Sequence, residues 1–166
     1  MNTLLDELKS AGNSEKSAFL PRFFKTGPGE YGEGDQFLGV TVPQQRAIAK
    51  RYFQQLSIQE YTDLIKSPFH EVRLTTLLML VYRYEKTKSE EGQKELVEFY
   101  LSNLDFVNNW DLVDSSGYQI LGHFYWKKDT RFMASSVELP PSIPNESITS
   151  TRIRIMMIHS SFVLLR

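Results

Sequence analysis

Two stretches of this chain lie over each other without a gap: PFHEVRLTTLLMLVYRYEK, from Pro68 to Lys86, and NWDLVDSSGYQILGHFYWK, from Asn109 to Lys127. The overlay matches Val72 to Val113 and Leu80 to Leu121, an offset of 41 residues. Both stretches space their apolar residues as helices do. A helix that returns after about 40–47 residues is the mark of stacked helical pairs, each unit burying its apolar face against its neighbours. About three such units build a continuous core.

The expected fold is therefore all-α: a HEAT-like α-solenoid of antiparallel helix pairs, which 166 residues accommodate as one domain. The rest of the chain fits this up to a point. Met1 to Ala11 carries Leu4, Leu5 and Leu8 at helical spacing and stops at Gly12 and Asn13. Ser14 to Phe24 forms a second short helix, and Thr26 to Gly34 is a breaker-rich loop. Pro43 suits the first turn of a helix running through QQRAIAKRYFQQL. Ser57 caps a helix that ends before Pro68, His70 to Lys86 is the next, and Ser89 starts another. Asn108 to about Lys128 reads as one last helix, and Val40 to Val42, the only β-like run, supports no sheet. After about residue 134 the pattern fails. Pro140, Pro141 and Pro144 precede β-branched, serine-rich text, where the 41-residue spacing calls for a helix near residue 155. Residues 1–134 are thus expected to form the repeat domain and 135–166 an irregular tail.

Composition removes several functions. Hydrophobic content of 41% and charged content of 23% are those of a soluble globular protein. Without cysteine there is no disulfide framework and no thiolate zinc site. The N-terminus lacks the basic and apolar regions of a secretory signal, and no apolar run approaches the roughly 18 residues of a membrane span. A cytoplasmic location is expected. A net charge of −1 argues against bulk electrostatic binding of nucleic acid but leaves room for a local basic face.

Few motifs carry chemistry. Gly27, Gly29 and Gly32 spell G-x-G-x-x-G, yet no buried strand precedes them, and Glu30, Glu33 and Asp35 would repel a phosphate. A surface loop, open to a partner, is the better reading. His70, His123 and His159 are too dispersed for a metal site and are read as surface or core residues. Arg46 and Lys50 share one helix face with Arg51 nearby, while Lys25, Arg73, Lys127 and Lys128 lie elsewhere. On charge alone they read as a solvated helix face; a concave solenoid face could instead gather such cations into a phosphate-binding groove. The strongest candidate is NNWDLVDSSG. Asn109 suits an N-cap and Asp111 the first turn, where an acid complements the helix dipole. Asp114 follows Trp110 by four residues, so carboxylate and indole share a face; on these residues alone the pair reads as structural, with a cation site as the alternative.

Three segments, FFKTGPGEYGEGDQFLGVTVPQQR, HEVRLTTLLMLVYRYEK and FVNNWDLVDSSGYQILG, together resemble the bacterial DNA alkylation repair family, the AlkD-type HEAT-like DNA glycosylases. The likeness runs from about Phe23 to about Lys128, and W-D-x-V-D is its most specific element. The resemblance implies removal of N3- and N7-alkylated purines from double-stranded DNA, without a cofactor or metal, at the bacterial nucleoid. It gives Asp114 the catalytic role and Trp110 the lesion-side role, with Lys25, Arg46 and Lys50 as candidate DNA contacts. It also implies action without drawing the base into a pocket, unlike most enzymes that act on bases.

The tail departs from the family, which continues with an arginine-rich, tryptophan-led helix and a further lesion-site aromatic. From that departure we expect a truncated or frame-shifted chain with weak or absent glycosylase activity. Its last helix would expose Ile120, Leu121, Phe124 and Tyr125 to self-association unless the tail covers them. A non-catalytic DNA-structure-binding module and a protein-interaction solenoid are the alternatives.

Overall fold

The structure is a computed structural model that describes residues 2–128, and every element in it is helical. The proline-rich tail, the helix expected near residue 155 and His159 lie outside the described residues.

Local sequence sets most helix starts. Asn13 opens α2 (Ser14–Phe19) by accepting the Lys16 backbone N–H at 2.9 Å. At α3 (Val42–Tyr52), Gln44 Oε1 accepts the Thr41 backbone N–H at 3.0 Å, and Pro43 sits in the first turn. Ser57 and Glu60 form the reciprocal box that starts α4 (Ile58–Ile65). Ser89 caps α6 (Glu90–Ser102). Ahead of these, α1 (Asn2–Ser10) buries Leu4 and Leu8 completely.

The centre of the fold is α5 (His70–Lys86), buried without interruption from His70 to Val81. A helix apolar on most sides belongs inside, and α1, α3, α4, α6 and α7 (Trp110–Asp114) all pack against it. Val72, Leu77, Leu78, Leu80, Val81 and Tyr84 along it are all buried.

Two expected helices are shorter than their sequences suggested. The second stops at Phe19 and continues as a 3₁₀ turn, Leu20–Arg22, because Pro21 has no N–H to extend the α-ladder. The stretch from Asn108 to Lys128 divides into α7, a π-helical turn at Tyr118–Gly122 and α8 (His123–Lys128). Ser116 marks the break. Its hydroxyl donates back to Leu112 O at 2.6 Å and lies 3.0 Å from the Tyr100 hydroxyl. Such back-bonding weakens a helix locally, and here a tertiary partner engages the same hydroxyl. Ile120, Leu121 and Phe124 are buried in the core and Tyr125 is half-buried.

Between α2 and α3 the chain lies against α5 without forming a strand. One bridge pairs Gln36 with Phe69. Glu71, itself buried, accepts the backbone N–H groups of Leu38 at 2.9 Å and Gly39 at 2.8 Å. Gly39 has φ +79°, and a Cβ there would stand 2.1 Å from Asn13 O. Gly29 has φ +76° with nothing within 4 Å of the same point. Gly39→Ala should therefore cost the roughly 1–3 kcal/mol of a strained backbone plus a steric clash, and Gly29→Ala the strain alone. Comparing their unfolding midpoints checks this; equal losses would mean the Asn13 contact is not rigid.

Candidate functional site

The site begins at Asn109, whose side-chain Oδ1 accepts the Trp110 N–H at 2.9 Å and caps α7. Five residues of helix follow, and they divide sharply by environment. Leu112 is fully buried. Trp110 is 56% exposed, although its indole stacks on Phe24 with ring centroids 6.1 Å apart. Asp114, four residues on, is exposed and has no hydrogen-bond or ion-pair partner among the described residues. A solvated carboxylate thus stands beside an indole face held from behind.

The support beneath Trp110 is aromatic and then ionic. Phe24 stacks on His70 at 4.5 Å and on Phe37 at 5.4 Å. His70, at the start of α5, presents Nε2 to Asp111 Oδ2 at 2.8 Å and Nδ1 to Asp35 Oδ2 at 3.4 Å. Arg73, one turn further along, donates to Asp35 Oδ2 at 2.6 Å, to Asn108 Oδ1 at 3.2 Å and to Ser67 O at 3.1 Å. Asn108 Nδ2 in turn donates to Tyr31 O at 2.9 Å. The glycine loop, α5 and α7 therefore meet through one polar cluster.

Burial alone would raise the Asp35 carboxyl, but hydrogen bonds from His70, Arg73 and Asn108 and the Arg73 charge outweigh it and hold the pKa below the ordinary 3.8. Burial opposes charge on His70 too, yet hydrogen bonds to Asp111 and Asp35 and the Asp111 charge raise its pKa above the ordinary 6.5. The signs follow by linkage. The His70 contribution to stability is complete below about 6.5 and is lost as pH climbs through the raised value. The Asp35 contribution is complete above about 3.8 and is lost as pH falls through the lowered one.

Several expectations change here. Asp35 is not a loop acid exposed to phosphate: its side chain is 3% exposed and ion-paired to Arg73. Arg73 is likewise buried and leaves the set of surface cations. Asp111 does more than complement a helix dipole, because it binds His70. His70 is a core histidine, whereas His123 is exposed and meets the Tyr84 hydroxyl at 2.9 Å. In the G-x-G-x-x-G loop, Glu30 and Glu33 accept the Gly27 and Gly29 N–H groups themselves, which takes up donors a phosphate cradle would need.

Among the other predicted residues, Lys25 follows Phe24 directly and is exposed, with φ +42°. Arg46 and Lys50 are exposed on α3, and the Lys50 ammonium lies 5.8 Å from the Tyr82 ring centroid. Among the described residues no hydrogen bond, ion pair or ring contact joins Arg46 or Lys50 to Trp110 or Asp114. No group of His, Asp and Glu suited to a metal occurs among the described residues. The residues that sequence reasoning passed over are Phe24, Asp35, His70 and Asp111. One signal for them was present: the offset that matches Val72 to Val113 also matches His70 to Asp111, which hydrogen-bond across 41 residues.

Among the described residues no helix is long and apolar enough to cross a membrane. Comparison with curated proteins gives no match, and neither does comparison with solved structures. The family model described as DNA alkylation repair enzyme matches residues 4–135. That span covers most of the 166 residues and contains both α7 and the cluster beneath it. The chain belongs to the DNA alkylation repair enzyme family, whose work is DNA repair and whose partner is DNA.

Proposed function

We propose that the chain is a DNA glycosylase that hydrolyses the N-glycosidic bond of N3- or N7-alkylated purines in duplex DNA. The observation that carries this reading is the pairing of exposed Trp110 with an exposed Asp114, one turn later on α7, that has no side-chain partner among the described residues. An alkylated purine is cationic, which weakens its bond to the sugar. As that bond breaks, its electron pair leaves with the base and positive charge develops on the sugar carbon and ring oxygen. The Asp114 carboxylate stabilises that charge and orients the water that adds to the carbon. The indole of Trp110 offers a cation–π surface to the lesion, worth about 0.5–2 kcal/mol. Both groups stand at the surface, which suits a lesion approached within the duplex.

Stacked repeats support the same reading. The His70–Asp111 contact joins positions equivalent under the 41-residue offset, as neighbouring units of a HEAT-like solenoid would. In that arrangement Arg46, Lys50 and Lys25 meet phosphates. Arg46→Ala and Lys25→Ala should then weaken binding to any duplex, each lowering the slope of log K against log salt by about one. Titrations at several salt concentrations check this, and an unchanged slope removes that residue from the DNA face.

Release of alkylated base from duplex DNA, compared between the wild-type protein and Asp114→Asn, tests the proposal. Binding by both without release by either would assign the chain to DNA-structure binding.

A further inference from the structure

The cluster around His70 takes no part in bond cleavage at Asp114, yet it fastens the helix that carries Asp114. Its geometry requires a particular form of the ring. Both imidazole nitrogens face carboxylate oxygens, Nε2 at 2.8 Å from Asp111 and Nδ1 at 3.4 Å from Asp35. A neutral imidazole has one N–H and would turn a lone pair toward one of those oxygens; only the imidazolium donates to both.

The charges agree. Asp35 from the glycine loop and Asp111 from α7 supply two negative charges to the cluster, and Arg73 supplies one positive charge. The fourth charged position is His70, so the cluster balances only when the ring is protonated. Glu71, its neighbour on α5, is already committed to the Leu38 and Gly39 N–H groups. Phe24 at 4.5 Å and Phe37 at 5.3 Å pack against the ring, and the side chain is 3% exposed. Little water is available to compensate a lost proton.

We propose that His70 is a positioning residue: as an imidazolium it clamps Asp111 to Asp35 and thereby sets the angle at which α7 presents Trp110 and Asp114. Deprotonation leaves a buried excess of negative charge between α7 and the loop and releases that angle. The catalytic consequence rests on the glycosylase reading, whereas the clamp itself does not.

Trp110 reports on the clamp directly, because it stacks on Phe24, which stacks on His70. In a Trp126→Phe background Trp110 is the single tryptophan. Its emission, followed from pH 5.5 to 9, should show one transition with a midpoint above about 6.5. His70→Gln should abolish that transition. Asp111→Asn, which keeps a hydrogen-bonding group and removes a charge, should lower its midpoint, and this variant decides the matter if His70→Gln fails to fold. On alkylated DNA, His70→Gln should lower kcat at least tenfold while KM changes less than twofold, and the remaining rate should lose the pH transition. A transition in emission without any base release keeps the clamp and sinks the glycosylase reading. A transition that survives in folded His70→Gln, a midpoint unmoved by Asp111→Asn, or no transition in the parent overturns the clamp.

Discussion

Asp35→Ala is expected to remove about 3–5 kcal/mol of folding stability, because it leaves the Arg73 guanidinium buried without its counter-charge. Desolvating an ion is expensive, and the pair is tolerated only while each charge is matched and hydrogen-bonded. Here Arg73 is 6% and Asp35 3% exposed at the side chain, so solvent cannot replace the missing partner. The same carboxylate also faces His70 and Asn108, so its loss loosens the glycine loop from both α5 and α7. Against the roughly 5–15 kcal/mol that stabilises a typical domain, the effect is large. It should lower the melting temperature by on the order of 10 °C. Urea unfolding measures it. The double variant Asp35→Ala, Arg73→Met should lose less than the two single losses combined, since the second change removes the stranded charge. A wild-type midpoint for Asp35→Ala would mean that the pair contributes nothing.

On the proposed glycosylase reading, Asp114→Asn should do the reverse, sparing the fold and removing the chemistry. Asp114 is exposed and has no hydrogen-bond or ion-pair partner among the described residues, so its replacement should change stability by less than about 0.5 kcal/mol. Asparagine keeps the shape and the hydrogen-bonding capacity but carries no charge to set against the developing oxocarbenium. Loss of one such preorganised electrostatic group costs about 10²–10³ in rate. DNA binding, which we propose rests on Arg46, Lys50 and Lys25, should change little. The two variants thus separate the cluster that holds the site from the residue proposed to act.

Much of this was legible in the sequence because the signals were local. Asn109, Ser57 and Ser89 start their helices through contacts within three residues, and α5 has the bounds its apolar spacing implies. Trp110 and Asp114 share a face because one turn of helix separates them. What was not legible depends on distant partners. Asp35 looks like one more acid in a polar loop until Arg73, 38 residues away, is brought beside it. Asn108 to Lys128 has helical spacing throughout, but the Ser116 hydroxyl is engaged by Tyr100 from α6 where the helix is interrupted. The repeat offset was the one long-range signal in the sequence. It matched His70 to Asp111, but whether they touch depends on how neighbouring helices pack.

We propose that Asp114, presented with Trp110 on α7, drives release of an alkylated purine. Duplex DNA carrying 7-methylguanine, incubated with excess protein and assayed for free base, tests it in a single turnover. Release by the wild-type protein is expected, reduced at least about 100-fold in Asp114→Asn with duplex binding retained. Equal release by both proteins, or none by either while both bind the DNA, would contradict it.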